Sequence, residues 1–254
     1  MRIDEQIVLV TGGARGLGVE IVRAFAREGA RVVVNYRRSE AAAADLVHEL
    51  GHERAVAVQA DVTDDDEVRA LVLAARAHFG APITTVVNNA LADFEFNGDA
   101  RSGPDTITWA HFDSQLRGAV KATLATTQAA LPGMRETGFG RIVNIGTNLF
   151  QNPVVPYHDY TAAKAAALSL TRTLSADLGP DGITVNMVSG GLLHTTDASA
   201  ATPDEVFDLI ASGTPLRRAI TPAELADAVL FFASPWARAV TGQNLIVDGG
   251  LVKG

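Results

Sequence analysis

Residues 7–18 read IVLVTGGARGLG and join an apolar run to a glycine-rich turn. The first four residues do not alternate between apolar and polar side chains, which is typical of a strand covered on both faces. Glycines let the backbone turn tightly and approach a phosphate closely, and the helical pattern in 17–27 offers free N–H groups at its positive dipole end. A glycine-rich loop is often only a tight turn, but between a first strand and a first helix it favours dinucleotide binding.

The glycine-rich turn supplies the first candidate contacts for a dinucleotide. Its spacing is Gly-x-x-x-Gly-x-Gly, which differs from the common Gly-x-Gly-x-x-Gly fingerprint. The candidate contacts are Gly12, Arg15, Gly16, Leu17 and Gly18.

The alternation seen in this first segment continues along the chain, as short β-branched runs separated by longer amphipathic patterns. The predicted strands are 7–10, 31–34, 55–58, 84–87, 141–145, 183–188 and 244–247. The predicted helices are 17–27, 40–50, 64–79, 108–131, 160–178, 203–211 and 223–232. Gly29 and Gly51 stand where helices should end, and Thr63 and Thr221 stand at expected N-caps.

This pattern predicts an α/β fold, a single doubly wound Rossmann domain over 1–254 with a seven-stranded, mostly parallel sheet and helices on both faces. Two smaller domains would also fit a chain of 254 residues, but no linker rich in polar residues, proline or glycine interrupts the alternation. Ligands bind such sheets beyond the carboxyl ends of the strands, so the residues that follow each strand are the candidates for a site.

Composition narrows the classes of function. A net charge of −8 argues against bulk nucleic-acid binding, and the absence of cysteine excludes disulfides, thiolate catalysis and cysteine metal sites. No apolar run approaches the length of a membrane span, and the first residues lack the apolar core of a signal peptide. The acidic run TDDDEV, 63–68, is better explained as a capped helix start than as a metal site. We expect no nucleic-acid, membrane or metal partner, and a cytoplasmic protein.

The end of the second strand bears on the choice of dinucleotide. It reads Asn35, Tyr36, Arg37 and Arg38, without a carboxylate. An acid at this point usually binds the ribose hydroxyls of NAD, whereas arginine accommodates the 2′-phosphate of NADP. With Arg15 close by, the sequence favours NADP(H) over NAD(H), with Arg37 as a contact, although solvated surface arginines would leave the same pattern.

One of only three tyrosines, Tyr160, precedes one of only three lysines, Lys164, by four residues. On a helix these side chains lie one turn apart on the same face, and a neighbouring ammonium lowers the pKa of a phenol from about 10 towards the range useful for proton transfer. Thr147 ends the fifth strand, so its hydroxyl and the phenol could polarise one carbonyl oxygen for hydride attack. The alternative is a surface pair with a packing or cation–π role.

The chain resembles the short-chain dehydrogenase/reductase family over nearly its whole length, and most of all its 3-oxoacyl-acyl-carrier-protein reductase type. No single matching segment is specific, but their order and spacing together are. The segments are TGGARGLG (11–18), DV (61–62), NNA (88–90), YTAAK (160–164), GITVNMV (182–188) and TGQNLIVDGG (241–250).

The resemblance implies an NADPH-dependent carbonyl reductase that acts on a 3-oxoacyl thioester in fatty acid biosynthesis. It implies acyl carrier protein as a candidate partner and a homotetramer built through 108–131, 160–178 and the last strand. Tyr160 would be the general acid, and Lys164 would lower its pKa and bind the nicotinamide ribose. Thr147 stands where the family usually has a serine that binds the substrate oxygen. The further cofactor contacts implied are Asp61, Val62, Asn89, Ala90, Leu193 and Thr195.

Some positions depart from the family pattern. Leu91 follows NNA where glycine is usual, and Ala119 aligns with the catalytic asparagine, whose usual water relays protons from the lysine to solvent. Gln115, one turn earlier on the same helix face, is a candidate to replace that asparagine. We expect an active but altered site, with substrate selected by the loops 91–106 and 190–215. The alternatives are a dehydrogenase for another alcohol or ketone, and a dinucleotide-binding sensor or assembly protein with impaired catalysis.

Overall fold

The seven predicted strands all form and build one sheet. The computed structural model describes residues 1–91, 94, 96–98, 100–194, 196, 199–200 and 202–253. The sheet order is β3-β2-β1-β4-β5-β6-β7, and the six pairings between neighbouring strands are all parallel in this described part of the chain. The strands are β1 Ile7–Val10, β2 Arg31–Tyr36, β3 Ala55–Gln59, β4 Thr85–Asn88, β5 Gly140–Thr147, β6 Ile183–Gly190 and β7 Asn244–Val247.

All the predicted helices form, although several of their bounds differ from the predicted ones. The N-cap of α3 is Asp64, whose carboxylate accepts the N–H groups of Asp66 and Glu67, so the prediction of Thr63 as N-cap was wrong. The predicted helix 108–131 is divided into α4 and α5, joined by the π-helical stretch Arg117–Lys121, and α5 continues to Thr137, beyond the predicted end at 131. The helices are α1 Leu17–Arg27, α2 Glu40–Leu50, α3 Asp65–Phe79, α4 Trp109–Leu116, α5 Ala122–Thr137, α6 His158–Leu178, α7 Asp204–Gly213 and α8 Pro222–Ala233.

Alternate residues of the central strands enter two apolar cores on opposite faces of the sheet. Val8 and Val10 of β1 join the core with α1, α2 and α8, whereas Ile7 and Leu9 join the core with α3, α5 and α6. Each such side chain contributes about 1.5–3 kcal/mol when fully buried. Because both faces of β1 are covered, its residues are apolar without alternation, and the predicted doubly wound architecture is confirmed. Within the described residues, no helix is long and apolar enough to cross a membrane.

A chain of buried and half-buried polar side chains links α5 to α6 through β4 and β5. The Thr126 hydroxyl donates to Asn88 Oδ1 at 2.7 Å, and Asn88 Nδ2 donates to Asn144 Oδ1 at 2.8 Å. Asn144 Nδ2 donates in turn to the Thr171 hydroxyl at 2.8 Å. These bonds fix β4 and β5, whose ends carry site residues, against the helices on one face.

We predict that Asn144→Leu lowers the free energy of unfolding by about 1–3 kcal/mol for each of the two partners that loses its hydrogen bond, Asn88 and Thr171. Urea denaturation measures this change. Asp45→Leu on the exposed side of α2, outside the elements expected to form subunit contacts, is the control and should change stability little. An Asn144→Leu protein as stable as the wild type would contradict a stabilising role of these hydrogen bonds.

Candidate active site

The carboxyl ends of four neighbouring strands converge on one edge of the sheet. β1 lies between β2 and β4, which is the point where the strand order reverses and where such folds bind ligands. The glycine-rich turn follows β1, Asn89 and Ala90 follow β4, Thr147 ends β5, and Leu193 follows β6. The residues predicted from separate parts of the sequence are therefore brought to one place.

Glycine is required in the turn because backbone and side chains approach it closely. A Cβ on Gly18 would lie 2.2 Å from the Gly12 carbonyl oxygen and 2.9 Å from Asn89 Nδ2. Gly12 has a φ of +60°, and its Cβ would meet Ala90 Cα at 3.1 Å. The turn is thus packed tightly against the residues that follow β4.

Two asparagines hold the turn in shape. Asn35, buried at the end of β2, accepts the Gly12 N–H on its side chain at 3.2 Å and the Gly13 N–H on its carbonyl at 2.8 Å. Asn89 Nδ2 donates to the carbonyls of Thr11 and Gly12 at 2.9 and 3.2 Å. Asn35 was not among the predicted site residues, although a single polar residue in the apolar run VVVNY could have signalled it.

The turn and the start of α1 fit a dinucleotide phosphate. Gly16 is the N-cap of α1 and brings no side chain that could cap the first N–H groups of the helix. Such N–H groups, at the positive end of the helix dipole, are donors for an anion. Side chains at Gly12 and Gly18 would obstruct the cradle beside these N–H groups. The residues present therefore suit the phosphate of the dinucleotide that the sequence predicts.

The structure brings a carboxylate close to the end of β2, and the sequence did not predict one at this position. Asp61 follows β3, and its Oδ2 lies 3.4 Å from an Arg37 guanidinium nitrogen. Burial would raise the pKa of Asp61, but hydrogen bonds from Thr63 and the charge of Arg37 outweigh burial and hold it below the ordinary value. Arg15, Arg37 and Arg38 are all exposed at this edge, so the region carries several positive charges beside one carboxylate.

Thr147, Tyr160 and Lys164 meet at the end of β5. The Thr147 side chain is hydrogen-bonded to the phenol of Tyr160. Lys164 is only 6% exposed, and its Nζ donates to the Ile145 carbonyl at 2.7 Å and lies 5.8 Å from the centre of the Tyr160 ring. A hydroxyl, a phenol and an ammonium are thus grouped around one point beside the glycine turn.

Burial changes the acidity of this group. It raises the pKa of Tyr160 to about 12, against the smaller opposing effect of the Thr147 hydrogen bond. It also lowers the pKa of Lys164 to about 8. The expectation of a Tyr160 pKa below 10 is therefore not met in this structure, because desolvation outweighs the Thr147 hydrogen bond.

Aromatic side chains from the predicted substrate loop cover the phenol. The Phe94 ring stacks on Tyr160, with centroids 4.6 Å apart and an angle of 16° between the planes. Phe96 meets Tyr160 edge-on at 5.4 Å, and Tyr157 contacts both phenylalanines. Neither phenylalanine was singled out as a site residue, because sequence does not reveal which side of a long loop turns inward.

The remaining predicted residues are distributed around this edge. Leu193 pairs with Ile220 in an isolated parallel β-bridge, and Val62 is buried in the segment after β3. Thr195 lies outside the described residues. Within the described ranges no group of three or more His, Asp or Glu side chains is arranged to hold a metal ion.

Comparison with known proteins identifies the family. A family model described as enoyl-(acyl carrier protein) reductase matches residues 12–252. A putative ketoacyl reductase from Streptomyces coelicolor is 34% identical, with 98% of this chain and 97% of that protein covered. An acetoacetyl-CoA reductase from Allochromatium vinosum is also 34% identical, with 97% of this chain and 98% of that protein covered. A solved structure of a blue fluorescent protein from a metagenomic library, in complex with NADPH, has a TM-score of 0.86 and 34% identity over 100% of both chains.

The chain therefore belongs to the short-chain dehydrogenase/reductase family. It is an oxidoreductase of that family. The resemblance drawn from the sequence motifs is confirmed.

We predict that Gly18→Ala weakens NADPH binding about tenfold or more, because the new methyl group would push the Gly12 carbonyl and distort the phosphate cradle. Titration of protein fluorescence with NADPH measures the dissociation constant. Gly179→Ala, where a Cβ meets no atom within 4 Å, is the matched control. Equal affinity in the Gly18→Ala and wild-type proteins would show that the nucleotide binds elsewhere.

Proposed function

We propose that this protein is an NADPH-dependent carbonyl reductase of the short-chain type. The observation that carries the proposal is the grouping of Thr147, Tyr160 and Lys164 beside the glycine turn at the switch point of the sheet. Three exposed arginines near the end of β2 favour NADPH over NADH, since the extra phosphate of NADPH is an anion. The NADPH complex of the metagenomic relative supports the same choice.

The proposed substrate is a 3-oxoacyl thioester, which is reduced to the 3-hydroxyacyl product. Two relatives of nearly the same length are named for ketoacyl and acetoacetyl-CoA reduction. Acyl carrier protein is the corresponding carrier, fatty acid biosynthesis the corresponding process and the cytoplasm the corresponding location. The phenylalanines over Tyr160 offer apolar surface for an acyl chain once they separate from the phenol.

The cofactor would be held by residues from the ends of β1 to β4 and from the loop after β6. When bound, NADPH supplies the hydride. Arg37 would face the 2′-phosphate, Asp61 and Val62 the adenine, and Leu193 and Thr195 the nicotinamide. The residues proposed to complete this binding surface are Gly12, Arg15, Gly16, Leu17, Gly18, Asn89 and Ala90.

The chain's own residues would supply the proton. Thr147 would donate a hydrogen bond to the substrate oxygen. Tyr160 would transfer its proton to that oxygen when the carbonyl carbon accepts the hydride. Lys164 stands close enough to stabilise the phenolate that remains, because its ammonium is 5.8 Å from the ring centre in a buried setting. In this conformation Phe94 lies on the phenol, so substrate must displace that ring before reaction.

We extend the proposal to a homotetramer. Large apolar side chains are exposed on α4, α5 and β7, namely Trp109, Leu124 and Leu245, and exposed apolar groups of this kind often mark contact surfaces. These are the elements that the family resemblance assigns to subunit contacts. Light scattering in solution measures the mass directly.

We predict that Tyr160→Phe lowers the turnover of acetoacetyl-CoA with NADPH by about 10²–10⁴-fold while NADPH affinity changes little, because the ring is kept and only the proton donor is lost. Initial rates of NADPH oxidation measure turnover, with NADH as the comparison cofactor. Tyr157→Phe, which keeps its ring contacts, is the matched control and should remain active.

Three outcomes are informative. Unchanged turnover in Tyr160→Phe would refute the role of the phenol. Equal use of NADH would refute the cofactor preference. NADPH binding with no turnover across a broad set of carbonyl compounds would favour a nucleotide-binding sensor or assembly protein, in which Leu91 and Ala119 had replaced working residues.

A pH dependence follows from the burial of Lys164, whose pKa is lowered to about 8. Below that pH the ammonium is charged and stabilises the phenolate, and above it the charge is lost. We expect the rate of reduction to fall about tenfold per pH unit well above pH 8. A rate that stays constant over two pH units above this value, in protein shown to be folded, would exclude a requirement for the charged lysine.

A further inference from the structure

One aromatic ring of the chain, that of Phe94, is surrounded by three others beside the phenol of Tyr160. It stacks on the Tyr160 ring, with centroids 4.6 Å apart and an angle of 16° between the planes. It meets Phe96 edge-on at 5.1 Å and Tyr157 edge-on at 5.2 Å. Stacked and edge-on pairs at these separations are the arrangements that aromatic rings favour. The space that Phe94 fills is therefore shaped for one flat ring.

The rings that border this space also contact one another. Phe96 meets Tyr160 edge-on at 5.4 Å, and Tyr157 packs edge-on against Phe96 at 5.9 Å. We call the space bordered by the Tyr160 face and the Phe96 ring the ring slot, and Phe94 fills it in this conformation. Phe94 is half-buried, so the slot is reached from the surface, whereas the Tyr160 ring at its base is only 5% exposed.

The wall of the ring slot that Phe96 provides is fixed to the segment before α6. Arg101 Nη1 donates to the Pro156 carbonyl at 3.5 Å. The Gly98 backbone lies against Val155, since a Cβ on Gly98 would be 3.5 Å from Val155 Cγ1. Both contacts involve residues that follow Phe96 in the loop. The ring that now fills the slot precedes Phe96, so it can turn away while the wall stays in place.

The proposed reaction brings a substrate group to the ring slot. The reacting carbonyl oxygen must reach the Tyr160 hydroxyl and the Thr147 side chain, which are hydrogen-bonded to each other in this structure. The group attached to the carbonyl carbon of a 3-oxoacyl thioester is one bond from that point. A methyl group there would leave most of the slot empty, whereas a phenyl group has the shape of the Phe94 ring that fills it. Stacked and edge-on partners also stabilise an aromatic ring beyond the area that they bury.

We propose that the substrates of this protein are 3-aryl-3-oxoacyl thioesters, in which an aromatic ring is bonded to the reacting carbonyl carbon. The face of Tyr160 and the ring of Phe96 select that aryl group, and Phe94 occupies its position in this conformation. The carbonyl carbon accepts the hydride of NADPH and the oxygen accepts the Tyr160 proton, so the ketone becomes a secondary alcohol and NADP⁺ is left. The inference rests on the proposed carbonyl reduction and narrows its substrate class.

The first test measures binding to the wild-type protein by isothermal titration calorimetry, with NADP⁺ in place of NADPH so that no reduction occurs. The ligands are 3-oxo-3-phenylpropionyl-CoA and its 3-cyclohexyl analogue, whose ring has as many carbons but no aromatic face. We expect the phenyl ligand to bind about tenfold more tightly, because only its ring can stack on Tyr160 and meet Phe96 edge-on. Equal affinities, or tighter binding of the cyclohexyl ligand, would overturn the proposal.

Two variants separate the occupant of the ring slot from its wall. Phe94→Ala removes the competing ring, so we expect the phenyl ligand to bind about threefold more tightly or better. Phe96→Leu removes an aromatic wall and should bring the affinities for the phenyl and cyclohexyl ligands close together. Phe231→Leu on α8, where the ring is 36% exposed, is the matched control and should change neither affinity. Weaker binding of the phenyl ligand to Phe94→Ala, or an unchanged preference in Phe96→Leu, would contradict the assignment.

Turnover distinguishes this inference from the proposed function. Conjugation makes an aryl ketone intrinsically less reactive than an alkyl ketone, so the quantity compared is the phenyl-to-cyclohexyl ratio of kcat/KM in wild type and in Phe96→Leu. We expect this ratio to fall about tenfold in the variant. Reduction of acetoacetyl-CoA without a phenyl preference in binding would overturn the substrate class and leave the reductase intact. Selective binding of the phenyl ligand without any turnover would count against the proposed function only.

Discussion

The hydrogen bond from Lys164 to the Ile145 carbonyl is the interaction on which the site depends. It places a cation, 6% exposed, at the carboxyl end of β5, where a buried charge is tolerated only if it is well hydrogen-bonded. The bond fixes the register of α6 against β5. Because Tyr160 lies one turn before Lys164, the same contact sets the phenol beside Thr147. The grouping of Thr147, Tyr160 and Lys164 thus follows from one helix–strand contact.

The nucleotide side of the site is held by a separate set of bonds. Asn35 and Asn89 use their amides to fix the glycine turn between β2 and β4, and the packing around Gly18 leaves no room for a side chain. The two halves are held by different contacts, one by the hydrogen bond of a buried cation and the other by amides and close backbone packing. The aromatic residues over Tyr160 belong to neither half, because they come from the predicted substrate loop and lie on the phenol.

The sequence was sufficient for the architecture because the signals are local. The bounds of α1, α2, β1 and β7 agree with prediction, since glycine turns, helix-end glycines and apolar runs mark them directly. The N-cap of α3 was predicted wrongly because Thr63 and Asp64 are both favourable N-cap residues. Only the hydrogen bonds that the Asp64 side chain accepts distinguish the two positions. The motifs also brought together Thr147, Tyr160 and Lys164, which lie within eighteen residues of one another along the chain.

What the sequence could not supply depends on distant contacts and burial. The approach of Asp61 to Arg37 needs β3 beside β2, and the stacking of Phe94 on Tyr160 needs the path of a long loop. The raised pKa of Tyr160 is the clearest case, because spacing alone suggests a stabilising ammonium, whereas the raised value follows from burial of the phenol. Gln115 was visible as an amide on the right helix face, but its burial beside Lys164 was not.

The most direct test of the reductase is a single-turnover reaction of the wild-type protein with acetoacetyl-CoA and NADPH that carries deuterium at the transferable position of the nicotinamide. Mass spectrometry of the product locates the label. We expect one deuterium on C3 of 3-hydroxybutyryl-CoA. Bound NADPH that transfers no deuterium to this or any other carbonyl compound would contradict the assignment of this site to carbonyl reduction.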